Sequence, residues 1–284
     1  MSRAPALPIR LLALPAWVGL AAAGWAGEAP TEPGADALRR EAWRAASLLQ
    51  FDHALHQLAQ LGPAAGRHDR AMRAAVLLNR PPRSDAVVAR VEAELRELLA
   101  GDPDDEAGLL AAYLLARTAH VHRTSPDWRE AADGYRALRQ RAPAHPLATL
   151  AATKLALILL YDPAHRRPPE EAWAEAEALA PTLAEPAARA LLHLTLARAY
   201  LYYDGVGDAA LRHLQAALEA GPSNENVHVN TRIGVAETAR ELGREALALD
   251  AYARFLDEAG VDHRRHAVEV LLREHEADRR SGRP

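Results

Sequence analysis

Apolar residues recur with a helical spacing over most of this chain. Three segments repeat a small residue, a large residue four positions later and an apolar residue three positions after that: Ala131/Tyr135/Leu138, Ala210/Leu214/Ala217 and Ala248/Tyr252/Phe255. Weaker copies are Ala54/Leu58/Leu61 and Val91/Leu95/Leu98. Positions i, i+4 and i+7 lie on one helix face, so each set predicts a stripe packed against a neighbouring helix. The pattern predicts an all-α protein with these side chains buried between helices: Tyr135, Leu138, Leu214, Tyr252 and Phe255.

Proline residues mark breaks between these segments at nearly regular intervals. Pro63, Pro103, Pro143, Pro181 and Pro222 follow one another at intervals of 40, 40, 38 and 41 residues. Two Ala- and Leu-rich segments of helical length lie between successive marks. Because a repeating helix pair cannot bury its apolar face alone, the pattern predicts pairs that stack into a solenoid.

The breaks predict six helix pairs and a closing helix. The pairs are expected at 37–48 with 51–61, 68–79 with 85–100, 105–122 with 127–141, 146–161 with 169–180, 187–203 with 208–220, and 226–242 with 245–258. The closing helix is expected from about 262 to 278. Three residues before the sixth helix are typical of a helix start. Ser125 is expected as the N-cap, Pro126 as a proline of the first turn, and Asp127 as an acid near the positive end of the helix.

The first 26 residues have the parts of an export signal. Arg3 and Arg10 precede an apolar stretch that ends in the small-residue site Gly24-Trp25-Ala26. We expect residues 1–26 to be a cleaved signal peptide, residues 27–36 a flexible linker, and the mature protein to be periplasmic or secreted. An uncleaved membrane anchor is the alternative, although a bilayer span needs about 20 apolar residues. The chain has no Cys, which excludes a lipid anchor at the cleavage point and any disulfide.

The stretch from Glu237 to Leu256 (ETARELGREALALDAYARFL) resembles a tetratricopeptide repeat. Gly243 lies where such a repeat turns between its helices, and Ala248, Tyr252 and Phe255 match its small–aromatic–aromatic signature. The resemblance covers residues 37–260, with a C-terminal capping helix and tail over 261–284. It implies an α-α superhelix of about six helix pairs plus a closing helix. Members of this family are chiefly protein- or peptide-binding scaffolds, with first helices that line a concave groove.

The sequence shows no constellation of catalytic, cofactor-binding or metal-binding residues. There is no Cys nucleophile, G-x-S-x-G elbow, phosphate-binding loop or H-E-x-x-H motif. His120 and His122 would lie on opposite sides of a helix, and no third ligand accompanies His263 and His266, so the histidines are expected on the surface or in a groove. The net charge of −4 does not support binding to a nucleic acid, which needs a clustered basic face. These absences disfavour an enzyme, such as a helical-repeat hydrolase or lyase.

A protein- or peptide-binding surface is therefore the expected function, with no cofactor. The candidate contacts are the non-packing positions of the first helices: Arg198, Tyr202, Asn230, Glu237, Arg240 and Lys154. Ordinary solvated or inter-repeat polar residues are the competing interpretation of each. The alternative function is a structural subunit of an envelope secretion, pilus or outer-membrane assembly complex. It would dock through its terminal helix, where Val268, Val270, Leu271 and Leu272 cluster.

Overall fold

Helices account for the regular structure of the described chain. The structure is a computed structural model that describes residues 33–222 and 224–281. Thirteen α-helices and no strand occur within these ranges: α1 (Pro33–Ser47), α2 (Phe51–Gln60), α3 (Arg67–Asn79), α4 (Asp85–Gly101), α5 (Glu106–Arg117), α6 (Trp128–Arg141), α7 (Pro146–Tyr161), α8 (Glu170–Leu179), α9 (Pro186–Tyr203), α10 (Asp208–Ala220), α11 (Glu225–Glu241), α12 (Glu245–Glu258) and α13 (Arg265–Ser281). The predicted all-α class and the number of helices are confirmed.

The predicted helix boundaries agree with the structure to within two residues except at four places. The closing helix, expected from about 262 to 278, runs over Arg265–Ser281. Residues 33–36, assigned to the linker, belong to α1, where Ala35 is buried and Asp36 accepts a hydrogen bond from Arg39. The α-helical part of the fifth helix ends at Arg117 and continues as a π turn over Thr118–His122. The N-cap of α6 is Asp127 rather than Ser125, because the Asp127 carboxylate accepts from the Glu130 backbone amide at 2.9 Å.

The described residues form two compact units, which divide between Ala152 and Thr153, inside α7. In the first, unit 1, α1 packs on α2, α3 packs on both α4 and α5, and α5 packs on α6. Small residues allow close approach: a Cβ added to Gly134 of α6 would stand 2.9 Å from the Ala116 Cβ of α5. Tyr135 and Leu138 are buried here, as predicted.

In the second, unit 2, one apolar core joins five successive helices, α9 to α13. Alanines lie at many of the contacts, and larger side chains fill the space between them. Leu214, Tyr252 and Phe255 all belong to this core, which confirms their predicted burial. Val268 of α13 is also part of it, and Leu271 and Leu272 pack against it. Since the core accounts for these residues, the apolar side of the terminal helix faces α12 rather than solvent.

The turns of the α1–α2 and α11–α12 pairs share one backbone motif. The amide of Gln50 donates to the Ala45 carbonyl at 2.9 Å, and that of Leu49 to the Ala46 carbonyl at 3.0 Å. The amides of Arg244 and Gly243 donate in the same way to Ala239 and Arg240, at 2.8 and 3.0 Å. Both turns are therefore Schellman motifs, with a left-handed residue at φ 61° for Leu49 and 69° for Gly243.

None of the described helices combines the length and the apolar character that crossing a membrane requires. The predicted signal peptide, residues 1–26, lies outside the described residues.

Candidate binding surface

The exposed side of α9 carries two of the predicted contact residues. The helix begins at Pro186, whose missing amide hydrogen costs nothing in the first turn, and it ends before Asp204. Arg198 and Tyr202 are both exposed and lie one turn apart. Leu191 and Thr195 continue the same face towards the N-terminus, and these four residues are called the α9 stripe. Leu191 is 49% exposed and Tyr202 is 60% exposed.

The end of α7 lies against the end of α9. Tyr161, at the end of α7, lies with its ring centroid 6.2 Å from that of Tyr203 in α9. Burial raises the pKa of Tyr161 to about 12, Tyr203 adds to this effect, and the charge of Arg198 opposes it. Arg198 is therefore close enough to act electrostatically on Tyr161. Lys154 lies seven residues before Tyr161, on the same side of α7, and is half-buried.

The contact residues predicted on α11 belong to a different cluster. Asn230 and Glu237 are exposed, but the Asn230 side-chain oxygen accepts from Arg264 at 2.8 Å. The Arg264 guanidinium also lies 5.5 Å from the centre of the Phe255 ring, and Glu237 raises its pKa together with the stronger effect of Asp262. The start of the last helical segment thus contacts the predicted α11 surface.

Arg240 lies elsewhere on α11, close to Tyr252. Its charge opposes the rise in the Tyr252 pKa, which is caused mainly by burial. The structure therefore brings Arg198 and Tyr202 together on α9. On α11, Asn230 and Glu237 both lie near Arg264, and Arg240 lies near Tyr252.

A stack of aromatic rings, which the sequence pattern does not predict, lies behind the α9 stripe. Trp173 of α8 stacks on Tyr200 of α9 with ring centroids 4.2 Å apart. Tyr200 stacks on His213 of α10 at 5.6 Å, and His213 lies 5.3 Å from His193. These four rings are called the ring stack. Tyr203 makes edge contacts with Trp173 at 6.2 Å and with Tyr202 at 4.7 Å, so the stack continues to the exposed stripe.

Polar contacts fix the far end of the ring stack. The Nδ1 atoms of His193 and His213 are 3.1 Å apart, so one ring donates and the other accepts. The Tyr200 hydroxyl donates to the Glu177 carboxylate, which also lies 3.5 Å from His213 Nε2. Burial lowers the pKa of both histidines, and the neighbouring imidazole adds to this for His193. Neutral imidazoles therefore suit this arrangement.

Only a weak sequence signal indicates the ring stack. Its members come from three helices, and none of the four rings belongs to the repeated apolar pattern of the second helices. Tyr200 is half-buried, with its hydroxyl at Glu177. Tyr202 projects to solvent, whereas the Tyr203 hydroxyl donates to the Leu160 carbonyl at 3.0 Å.

Unit 1 contains a buried polar cluster at its π turn. Arg117, His122 and Tyr135 are at least nine-tenths buried, and Arg83 donates to His122 Nδ1 at 2.8 Å. No described protein group forms a hydrogen bond with Arg117 Nε, His122 Nε2 or the Tyr135 hydroxyl. Burial, with Arg117 and Arg83 nearby, lowers the pKa of His122 to about 3. Since these three atoms are inaccessible to solvent, the cluster is not a surface for a partner.

The expected surface position of the histidines is wrong for His120 and His122. Both are buried, because the π turn directs this segment into the interior of unit 1. Over the part of the chain that the structure describes, no group of three or more His, Cys, Asp or Glu residues could hold a metal ion.

Comparison with known proteins adds no family assignment. No protein-family model and no curated protein matches this sequence.

Proposed function

We propose that this protein is a non-catalytic scaffold that binds a peptide or a segment of a partner protein on the α7–α9 face of unit 2. The observation that carries the proposal is the α9 stripe. Leu191 and Tyr202 are large apolar and aromatic side chains that remain exposed on a helix whose other side enters the core. An exposed apolar surface interrupted by an Arg is typical of binding sites, where Tyr and Arg contribute much of the binding energy.

The proposal includes the way in which the helix pairs stack. We propose a tetratricopeptide-like α-α superhelix with the first helices of the pairs on its concave side. Two observations support it: the second helices of the pairs other than α8 repeat one pattern of apolar residues, and the first helices α3 and α5 pack on each other. Lys154 would then lie beside the α9 stripe, while Asn230, Glu237 and Arg240 would extend the surface along α11.

The alternative, docking through the terminal helix, has lost its main support. It depended on an exposed apolar patch on α13. Val268 is buried, and Leu271 and Leu272 pack against the core of unit 2. The α9 stripe is therefore the better candidate for the partner.

The decisive experiment replaces Arg198 and Tyr202 together by Ala. Affinity capture from an envelope extract of the native organism should lose the specific co-eluting protein. The melting curve should stay nearly unchanged, because both side chains are exposed. A matched control replaces one exposed cation and one exposed apolar residue of unit 1, Arg129→Ala with Leu48→Ala, and should keep the partner. Equal capture by the wild type and the Arg198/Tyr202 variant would refute the proposal.

A further inference from the structure

The charges on α7 and α9 are all of one sign. Together these two helices contain Lys154, Arg189 and Arg198 and no Asp or Glu, in a chain with a net charge of −4. Arg189 is directed away from the stripe, since it donates to the Leu183 carbonyl at 3.3 Å. The face that the partner would meet is thus cationic and apolar, although the protein as a whole is acidic.

Three carboxylates stand directly next to these helices in the sequence. Glu185, the N-cap residue of α9, lies at the opposite end of the helix from Arg198, and the two that follow the helices have partners of their own. Asp204, directly after α9, pairs with Arg167 at 2.9 Å. Asp162, directly after α7, accepts from the Ala164 backbone amide at 2.9 Å. Among the described residues no carboxylate forms an ion pair with Arg198. Its charge is available to a group that comes from outside the chain.

We propose that the segment bound at the α9 stripe carries an Asp or Glu side chain opposite Arg198, flanked by apolar side chains at Leu191 and Tyr202. This inference rests on the proposed function and names the chemistry of its partner. The apolar groups supply buried area, and the carboxylate adds charge complementarity, which selects among partners more than it adds affinity.

The helix geometry sets the spacing of the partner's residues. Leu191 and Arg198 are separated by about 10 Å along the axis, and Arg198 and Tyr202 by about 6 Å, at 1.5 Å per residue. An extended chain advances about 3.3 Å per residue, so these separations correspond to about three and two residues. A segment that lies along α9 should therefore read apolar-x-x-Asp/Glu-x-apolar in one chain direction, or its reverse in the other.

A displayed library of random hexapeptides, selected on the full chain, tests this spacing. The Arg198→Ala/Tyr202→Ala protein serves as the counter-selection target. We expect enrichment of an acidic residue between two apolar positions at the stated spacing. Enriched peptides without an acid would overturn this inference and leave the proposed function standing. No enrichment of any peptide over the double variant would overturn both.

A charge exchange then tests the contact with Arg198 directly. A labelled peptide with the core Leu-Ala-Ala-Glu-Ala-Phe should bind about fivefold more tightly than its Gln counterpart in fluorescence anisotropy, the upper end for an exposed ion pair. Arg198→Gln should remove this difference, and Arg198→Glu should instead favour a Lys peptide. Added salt should weaken the Glu peptide alone. An Arg198→Gln protein that keeps the full preference for Glu would contradict the assignment.

Discussion

Two residues in the same backbone position differ in how well they suit it. Leu49 and Gly243 both take the left-handed conformation that ends the first helix of a pair. This conformation costs an L-residue about 1–2 kcal/mol, whereas Gly adopts it freely. Leu49 is 56% exposed and lines a shallow recess of about 320 Å³ with Phe51 and Arg80, so little packing offsets the strain.

We predict that Leu49→Gly stabilises the protein by about 0.5–1 kcal/mol. The relief of strain should exceed the entropy that Gly adds to the unfolded chain. The matched change is Gly243→Ala, which should destabilise by about 1 kcal/mol, because a Cβ there meets no neighbour and only the backbone conformation changes. Urea unfolding of both variants measures this. A destabilised Leu49→Gly protein would mean that the Leu49 side chain makes a stabilising contact.

The tyrosines allow a second prediction at single positions. Tyr252→Ala should cost about 3 kcal/mol of unfolding free energy, because the ring is 3% exposed and its removal leaves a cavity between α11 and α12. Tyr202→Ala removes the same atoms from an exposed position and should change stability by less than about 0.5 kcal/mol. Denaturant midpoints compare the two, and similar losses in both variants would contradict the assigned burial.

Residue-scale burial was predictable where it follows the helical repeat. Leu138 and Phe255 are buried because the i, i+4, i+7 spacing puts them on the packed face. The same reasoning failed for His122, because a π turn changes the direction of the side chains after Arg117. No sequence signal predicts that this turn is a π turn, which contains one more residue than an α-helical turn.

At the scale of elements, the π turn makes unit 1 sensitive to pH. Burial holds the pKa of His122 near 3, far below the value of about 6.5 in an unfolded chain. The unfolded state therefore binds this proton first as the pH falls. The stability linked to neutral His122 is fully present above about pH 6.5 and is lost progressively towards pH 3. The pKa values of His193 and His213 are lowered in the same way, so unit 2 also loses stability as the pH falls.

The variant His122→Asn should flatten this pH dependence. Its side-chain oxygen can still accept from Arg83, but the group does not titrate. Unfolding free energies at pH 7.5 and 5 provide the measurement, with His263→Asn, at an exposed position, as the control. Equal pH slopes in the wild type and the His122→Asn protein would show that His122 titrates normally.

Elements were predictable because their ends carry local chemistry. Asp105, Asp127 and Asn224 each cap a helix through a side-chain bond to a backbone amide near its start. The ring stack has no such local origin. Trp173, Tyr200 and His213 meet only because α8, α9 and α10 pack in one register, which a linear pattern does not encode.

At the scale of the whole molecule, we predict that the protein is exported and that its N-terminal signal is removed. We expect the exported protein to begin near Gly27, because the charged start, apolar stretch and small-residue site fit a cleaved signal. N-terminal sequencing of protein recovered from the envelope measures this. An N-terminus at Met1 or Ser2 would refute cleavage.

The solenoid prediction and the contact residues depended on different kinds of evidence. Regular proline spacing made thirteen helices predictable, since each break stops a helix. The contact residues could be placed only by their distance from the packing stripe. That placed Arg198 and Tyr202 on an exposed face, but it did not foresee that Arg264 contacts Asn230.

The single Lys of the chain gives the α7–α9 face a built-in chemical handle. Lys154 shares its side of α7 with Tyr161, and besides the N-terminal α-amine no other amine competes for an amine-directed reagent. A photoreactive group attached through this ε-amine at high pH would sit beside the proposed binding surface without any engineered residue. Illumination would then join the occupant covalently to this position, and mass spectrometry of the joined peptide would read its sequence.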